Sequence, residues 1–356
     1  LTGILKVIGL MSGTSLDGVD AALLDTDGVR VAKPGPALTV PYDPETRALL
    51  RAALSDAPGL APGASSAGIA DAEARLTETH ARAVKLLLSQ AGLLASDIAF
   101  AGFHGQTILH RPEERRTWQI GNGASLARAL GIAVVNDFRS ADVAAGGQGA
   151  PFVPLYHAAL TRNLDGSVVV VNIDGETLLA FDTGPGNAVL DDWAQVHTGK
   201  PVDQDGALAR KGRVQECALA EMLAHPFFDR APPKSLDRLD FSPAAVRHLS
   251  PEDGAATLTA FTAASIARAA EHFPNRPAQW IICGGGRHNP VLMRELEDRL
   301  SYVRAAEDAG WRGDFLEAEA FAYLAARSVR GLPLSLPSTT GVPTPMTGGT
   351  LHKPMM

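Results

Sequence analysis

Twice along this chain an apolar run enters an Asp-Gly turn and returns as a second apolar run. The first instance is Leu5 to Met11, Asp17-Gly18 and Val19 to Leu24; the second is Val168 to Ile173, Asp174-Gly175 and Thr177 to Phe181. Each reads as a β-hairpin, because a short Asp-Gly turn lets two extended segments fold back on one another. After the first, a strand near Ala37 to Pro41 precedes helical segments at Glu45 to Ser55 and Ala67 to Leu94 and a strand Ile98 to Phe103. After the second, helices fill the chain up to a strand at Trp280 to Cys283. The beginning of the topology repeats although the residues do not, which is the trace two related α/β lobes leave in a sequence. With 356 residues the chain exceeds what one core usually serves, so the expected fold is α/β and two-lobed, with a central cleft for a small ligand. The expected division is 1–140 and 141–330, with the glycine cluster Ala145-Gly146-Gly147-Gln148-Gly149 at the hinge. Pro333, Pro337, Pro343 and Pro345 forbid a long helix in 331–356, which is expected to wrap the surface as an ordered extension.

Charge and cysteine usage narrow the partners. A formal charge of −7 without a long Lys/Arg run speaks against nucleic acid and anionic membrane. Cys217 and Cys283 are too few and too isolated for a disulfide framework or a thiolate zinc site, which fits the cytoplasm. The opening run Ile4 to Met11 lacks a basic flank and a small-residue cleavage site, so it reads as a first strand, and no other stretch approaches a membrane span.

Six segments carry the chemistry. Gly13-Thr14-Ser15-Leu16-Asp17-Gly18-Val19-Asp20 sits at a hairpin tip, where hydroxyls and backbone N–H groups can cradle phosphate and where Asp17 or Asp20 can meet Mg²⁺; an ordinary hairpin turn is the rival reading. Asp182, before Thr183-Gly184-Pro185-Gly186-Asn187, ends a strand and is placed either as a general base or as a turn-stabilising carboxylate. His104-Gly-Gln-Thr107 and Asn136-Asp137-Phe-Arg139 also close strands, and Arg139 offers a planar fork to a sugar or carboxylate, unless it pairs with Asp137 at the surface. Gly284, Gly285 and Gly286, followed by Arg-His-Asn289, let a backbone approach a nucleotide closely. On the late helix, Glu317 and Glu319 lie on different faces, so one is expected at the site and the other in solvent.

In order along nearly the whole chain, GLMSGTSLDGVDAALLD, FHGQT, QIGNG, NDFRSADVAAGGQGAPFVP, FDTGPGN, PPKSLDR, CGGGRHNPVLM, EAEAFAYLA and LPSTTG closely resemble the anhydro-N-acetylmuramic acid kinase family, of the sugar kinase/Hsp70/actin superfold. The resemblance implies an actin-like homodimeric enzyme of peptidoglycan recycling that uses ATP, Mg²⁺ and water on 1,6-anhydro-N-acetylmuramic acid. It places Gly13 to Asp20 on phosphate and Gly284 to Gly286 with Asn289 near adenosine. Asp182 becomes the base that activates water, and Thr107, Arg139 and Glu317 or Glu319 hold the sugar, with Asp137 beside them. Another anhydrosugar as substrate, or an inactive sugar or nucleotide sensor, are the competing functions. In one place the match departs from the family: where members carry a second turn resembling Asn-Ile-Gly-Gly, this chain reads Asn172-Ile-Asp-Gly-Glu-Thr177, either a true two-residue hairpin or the joined sides of a longer loop.

Overall fold

The structure, a computed structural model, describes residues 3–13, 15–162, 164, 167–170, 179–234, 236, 241–273 and 275–354. Thr14 and the whole turn at Asp174-Gly175 lie outside the described residues. The chain divides into two compact units, one of residues 1–160 with 315–356 and one of residues 161–314.

In the first unit, β1 (Leu5–Met11), β2 (Gly18–Thr26) and β3 (Val31–Pro41) form an antiparallel meander. Helices α1 (Pro44–Asp56) and α2 (Ala67–Ala91) follow. Ser66 starts α2 by accepting from Ile69 N at 3.2 Å, and Gly92, at φ 64°, ends it. Between those caps Ile69, Leu76, Ala83 and Leu87 recur at helical spacing and are buried with Ile8, Leu10 and Phe103 in one core.

Strand β4 (Phe100–Phe103) then lies parallel to β1, and β7 (Val134–Asn136) lies parallel to β4. Between them come a hairpin, β5 (Gln106–Arg111) with β6 (Arg116–Ile120), and helix α3 (Gly123–Leu130). Short helices α4 (Ser140–Ala144) and α5 (Pro154–Thr161) complete the N-terminal part.

The second unit has three parallel strands in the order β8 (Val168–Val170), β9 (Gln279–Ile282), β10 (Val303–Ala305). This matches the order β1, β4, β7, so the same parallel core occurs in both units, while the second turn of the repeated hairpin pattern lies outside the described residues. The return strand expected up to Phe181 is absent at Leu179–Phe181, which are not in a strand. Helices α6 (Ala188–Thr198), α7 (Glu216–Leu223), α8 (Pro251–Arg268) and α9 (Pro290–Glu297) surround an aromatic cluster of Phe227, Phe228, Phe241 and Phe261.

Helix α10 (Leu316–Val329) and the segment after it depart most from expectation. Helix α10 lies directly on the first sheet, where a Cβ on Gly9 would overlap Ala318 O and one on Gly102 would overlap Phe321 O; glycine at both positions is what lets the helix come so near. After the short helix α11 (Pro337–Thr340), β11 (Thr350–His352) pairs antiparallel with β7 and supplies the outer strand of a six-stranded sheet, ordered β11-β7-β4-β1-β2-β3. The contact boundaries therefore fall at 160/161 and 314/315 rather than at the expected 140 and 330. The glycine cluster at 145–149 lies within the first unit, where Gln148 N donates to Thr340 O at 2.7 Å and Gly149 N to Asp142 Oδ1 at 2.7 Å.

Candidate active site

In the first unit Arg139, just past β7, is clamped on two sides. Its Nε–H and one Nη2–H meet His104 Nε2 at 3.2 and 3.0 Å, and its Nη1–H donates to Gly149 O at 2.6 Å. Accepting from a guanidinium requires that His104 Nε2 carry no proton. Burial first, and the Arg139 charge second, hold the imidazole pKa well below its usual value, so the ring is neutral with its proton on Nδ1. Desolvation also lowers Arg139, to about 10, against the pull of Glu317 and Asp142; it remains a cation at neutral pH. Three N–H groups are thus committed and two, one on each terminal nitrogen, are without a partner among the described residues. The expected pairing with Asp137 does not form. Asp137 is exposed at φ 55°, and Arg139 turns to His104 and Gly149 instead.

Helix α10 resolves the choice between its two glutamates. Glu319 is buried, 2% exposed, and accepts from Tyr156 OH at 2.6 Å. Glu317 reaches solvent, and its charged neighbours are Arg139 and Asp20. By surface area Glu317 counts as exposed, yet it is recessed enough that desolvation is the main cause of a raised pKa; Arg139 opposes the rise and Asp20 adds to it. Thus it is Glu317 that joins Arg139, while Glu319 is part of the packing and does not face solvent as one of the pair was expected to. Thr107 on β5 is half-buried and accepts from Gln119 Nε2 at 3.2 Å, across the hairpin that the sequence reading missed.

The β1–β2 turn is built from side-chain hydroxyls and one left-handed residue. Leu16 sits at φ 54° with its N–H on Gly13 O, while its carbonyl accepts from Arg47 Nε at 2.8 Å. Ser15 donates to Asp17 Oδ1 at 2.8 Å and Thr39 to Asp20 Oδ1 at 2.6 Å. Below the turn, Tyr42 OH donates to Ser12 Oγ at 2.8 Å, and Ser12 donates to Gln106 Oε1 at 2.6 Å. The Tyr42 phenol is pushed upward, mainly by burial and further by the charges of Asp17 and Asp20. Asp17 and Asp20 are therefore hard oxygen donors close to one another's field, a set that suits Mg²⁺, which takes one or two carboxylates and fills its remaining positions with water and phosphate. No cluster of three or more His, Cys, Asp or Glu occurs among the described residues.

In the second unit Asp182 is fixed by Lys234 and Leu236. Its N–H donates to Lys234 O at 2.9 Å, and its Oδ2 accepts from Leu236 N at 2.8 Å. Desolvation raises its pKa and the Leu236 N–H partly offsets the rise, leaving a carboxylate more basic than an ordinary aspartate. Lys234 itself is buried against Phe227, its Nζ 4.7 Å from the ring centroid, and donates to Phe227 O at 3.3 Å.

The glycine turn after β9 is braced from one side. Arg287, buried, holds Glu307 and Asp314 at 2.8 and 2.7 Å and donates to Gly284 O at 2.8 Å. Gly284 is required by its own backbone, at φ 73° and ψ 177°, whereas a Cβ on Gly285 would meet nothing within 4 Å, so the backbone stands open there. Beside it a cavity of about 310 Å³ is lined by Asn187, Asp191, Gln204, Gly285, His288 and Asn289. Asn289 caps α9, its Oδ1 accepting from Val291 N and Leu292 N. Of the sequence-chosen residues, the structure brings together Asp17, Asp20, Arg139 and Glu317 in the first unit, and Asn289 with Gly285 in the second. Ser12, Gln106 and Asp142 were not singled out and His104 was named only as closing a strand; all four lie inside motifs read for other members, and only their partners reveal their tasks.

A family model described as anhydro-N-acetylmuramic acid kinase matches residues 5–354. A curated protein of that name from Paramagnetospirillum magneticum is 54% identical over 361 residues, covering 98% of this chain and 99% of its own. Another from Rhodospirillum rubrum is 53% identical over 360 residues, covering 98% and 94%. Among solved structures, component A of (R)-2-hydroxyglutaryl-CoA dehydratase from Acidaminococcus fermentans overlays at a TM-score of 0.45 and 14% identity over 90% of this chain and 99% of that one, a likeness too loose to argue from.

Proposed function

Because the chain belongs to the anhydro-N-acetylmuramic acid kinase family, we propose that it uses ATP and water to open 1,6-anhydro-N-acetylmuramic acid and phosphorylate its O6, giving N-acetylmuramate 6-phosphate and ADP in cytoplasmic cell-wall recycling. The observation that carries the mechanism is Asp182: a carboxylate tethered through one oxygen and made more basic by burial, the condition a general base needs.

In the proposed reaction Asp182 takes a proton from water as the water oxygen bonds to C1. The C1–O6 bond breaks and leaves its electron pair on O6. That oxygen attacks the γ-phosphorus, and the bond to the β–γ bridging oxygen breaks as ADP departs. Arg139 and Glu317, with Thr107 and Asp137 nearby, orient the sugar through its hydroxyl and carboxylate groups. The turn from Gly13 to Asp20 receives the phosphates, and Gly284 to Gly286, fixed by Arg287 and the Asn289 cap, lie along the nucleoside. Mg²⁺ held by Asp17 or Asp20 would neutralise phosphate charge. No helix among the described residues is long and apolar enough to cross a membrane; a cytoplasmic location and a homodimer are parts of the same proposal.

The test is product formation from ATP and 1,6-anhydro-N-acetylmuramate, read by mass spectrometry in ¹⁸O-water. A phosphosugar with one ¹⁸O at the anomeric position is expected; glucose 6-phosphate formed from 1,6-anhydroglucose at equal or higher kcat/KM would reassign the substrate.

A further inference from the structure

Asp142 is 1% exposed, and its contacts are those of an anchor. Its Oδ1 accepts from Gly149 N at 2.7 Å, and its Oδ2 accepts from both Ser335 Oγ and Thr340 Oγ1, the latter at 2.6 Å. A Cβ on Gly147 would overlap the carboxylate, so the 145–149 loop is moulded around it. Thr340 takes part twice, since its carbonyl also accepts from Gln148 N. Gly149 thus has its N–H fixed by Asp142 while its carbonyl receives Arg139 Nη1. The line Ser335 and Thr340 to Asp142, to Gly149, to Arg139 is continuous, every link is a hydrogen bond, and all of it lies in the first unit. His104 closes the opposite side of the guanidinium.

We propose that Asp142, gripped by Ser335 and Thr340, is a positioning residue that aims Arg139, so that the segment 335–340 tunes recognition of the anhydrosugar from behind the binding group. This rests on the reading of Arg139 as a sugar ligand. A buried carboxylate with no cation in hydrogen-bond contact is costly unless donors saturate it, and here the donors come from two distant stretches of chain whose meeting fixes where Gly149 O points. Loss of one hydroxyl lets the loop relax, and Arg139 loses the acceptor that holds Nη1.

The experiment compares Thr340→Val, which keeps the shape and removes the donor, with Thr340→Ser, which keeps the donor, each alone and with Arg139→Ala. Thr340→Val is expected to raise the sugar KM about tenfold with ATP KM unchanged, and Thr340→Ser to restore it. In the Arg139→Ala background Thr340→Val should add less than about twofold, because residues on one line are not independent. Equal fold-changes in both backgrounds, or equal movement of both KM values, overturn the proposal. A second readout does not need the substrate: in protein labelled with ¹⁵N-arginine, the Arg139 Nε–H resonance, identified by its loss in Arg139→Ala, should shift in Thr340→Val and return in Thr340→Ser. If it stays in place the clasp is wrong. If it shifts while the unaltered protein makes no phosphosugar, the clasp stands and the kinase reading fails.

Discussion

Asp142 in the first unit receives three hydrogen bonds on its two oxygens and is closed off from solvent, whereas Asp182 in the second receives one on Oδ2 and stays half-buried. Both are aspartates beside glycine-rich turns. The difference lies in the donors around them. A carboxylate with three of its roughly four acceptor sites engaged and no solvent beside it is out of reach of a water molecule, so its donors turn it into a bracket. A carboxylate tethered at one oxygen is fixed in direction, keeps the other oxygen for a ligand, and is rendered more basic by incomplete compensation for its burial. Residue type and local motif do not separate these fates; the number of donors that reach the group does.

The sharpest way to break this contrast is Asp182→Asn, which keeps an acceptor for Leu236 N–H and removes the base. It should lower kcat by about a thousandfold, with the melting temperature unchanged or slightly raised. The sign follows from the raised pKa: ionised Asp182 costs stability at neutral pH, and its stabilising contribution is present only at low pH and lost as pH rises through the folded pKa. Calorimetry beside single-turnover kinetics checks both halves; a large fall in melting temperature would make Asp182 a bracket too. Asp142→Ala should do the reverse in stability, costing about 3 kcal/mol as three buried donors lose their acceptor, seen as a melting temperature lower by roughly 5–10 °C. A variant that melts with the unaltered protein contradicts the anchor.

Next in size is the pH profile. The acid limb of kcat should lie above the ordinary aspartate value of about 3.9 and fall about tenfold per unit below its apparent pKa; a flat profile down to pH 4 removes Asp182 as the base. The smallest effect sharpens the contrast with a third side chain, held as a helix cap. Asn289→Ala should cost about 1 kcal/mol of stability through loss of the α9 cap, with ATP KM changed little, and a tenfold rise in ATP KM at constant stability would return Asn289 to the nucleotide.

The strands β1, β2, β4 and β9 were legible in the sequence, because short apolar runs and the Asp17-Gly18 turn are local signals, whereas their parallel pairing was not. The sequence also marked the helix that carries Glu317 and Glu319, but helical spacing alone could not tell which glutamate meets Arg139, since that depends on the face α10 lays on Gly9 and Gly102. The β5–β6 hairpin was missed for a local reason: Gln106 to Arg111 mixes polar and apolar residues without strict alternation, and the turn at Pro112–Glu114 carries no Asp-Gly or Asn-Gly signal. The tail was read as a surface extension because three residues of strand have no pattern of their own. Strand β11 exists through its partner β7, more than two hundred positions earlier. Arg139's pairing with His104 rather than Asp137 was likewise set by tertiary approach, with Asp137 turned away by its left-handed backbone.

That the first unit is assembled from 1–160 and 315–356 has a consequence for biosynthesis. On the ribosome its meander and α2 emerge early, yet the helix that covers Gly9 and Gly102 and the strand that extends β7 arrive only after all of 161–314 has been made. The unit begun first is therefore finished last, and the middle of the chain can reach its compact state while the earlier sheet still has an uncovered apolar face. Nascent chains arrested near residue 314 should accordingly carry a protease-resistant middle and a vulnerable beginning, the reverse of the vectorial order that simple tandem domains follow.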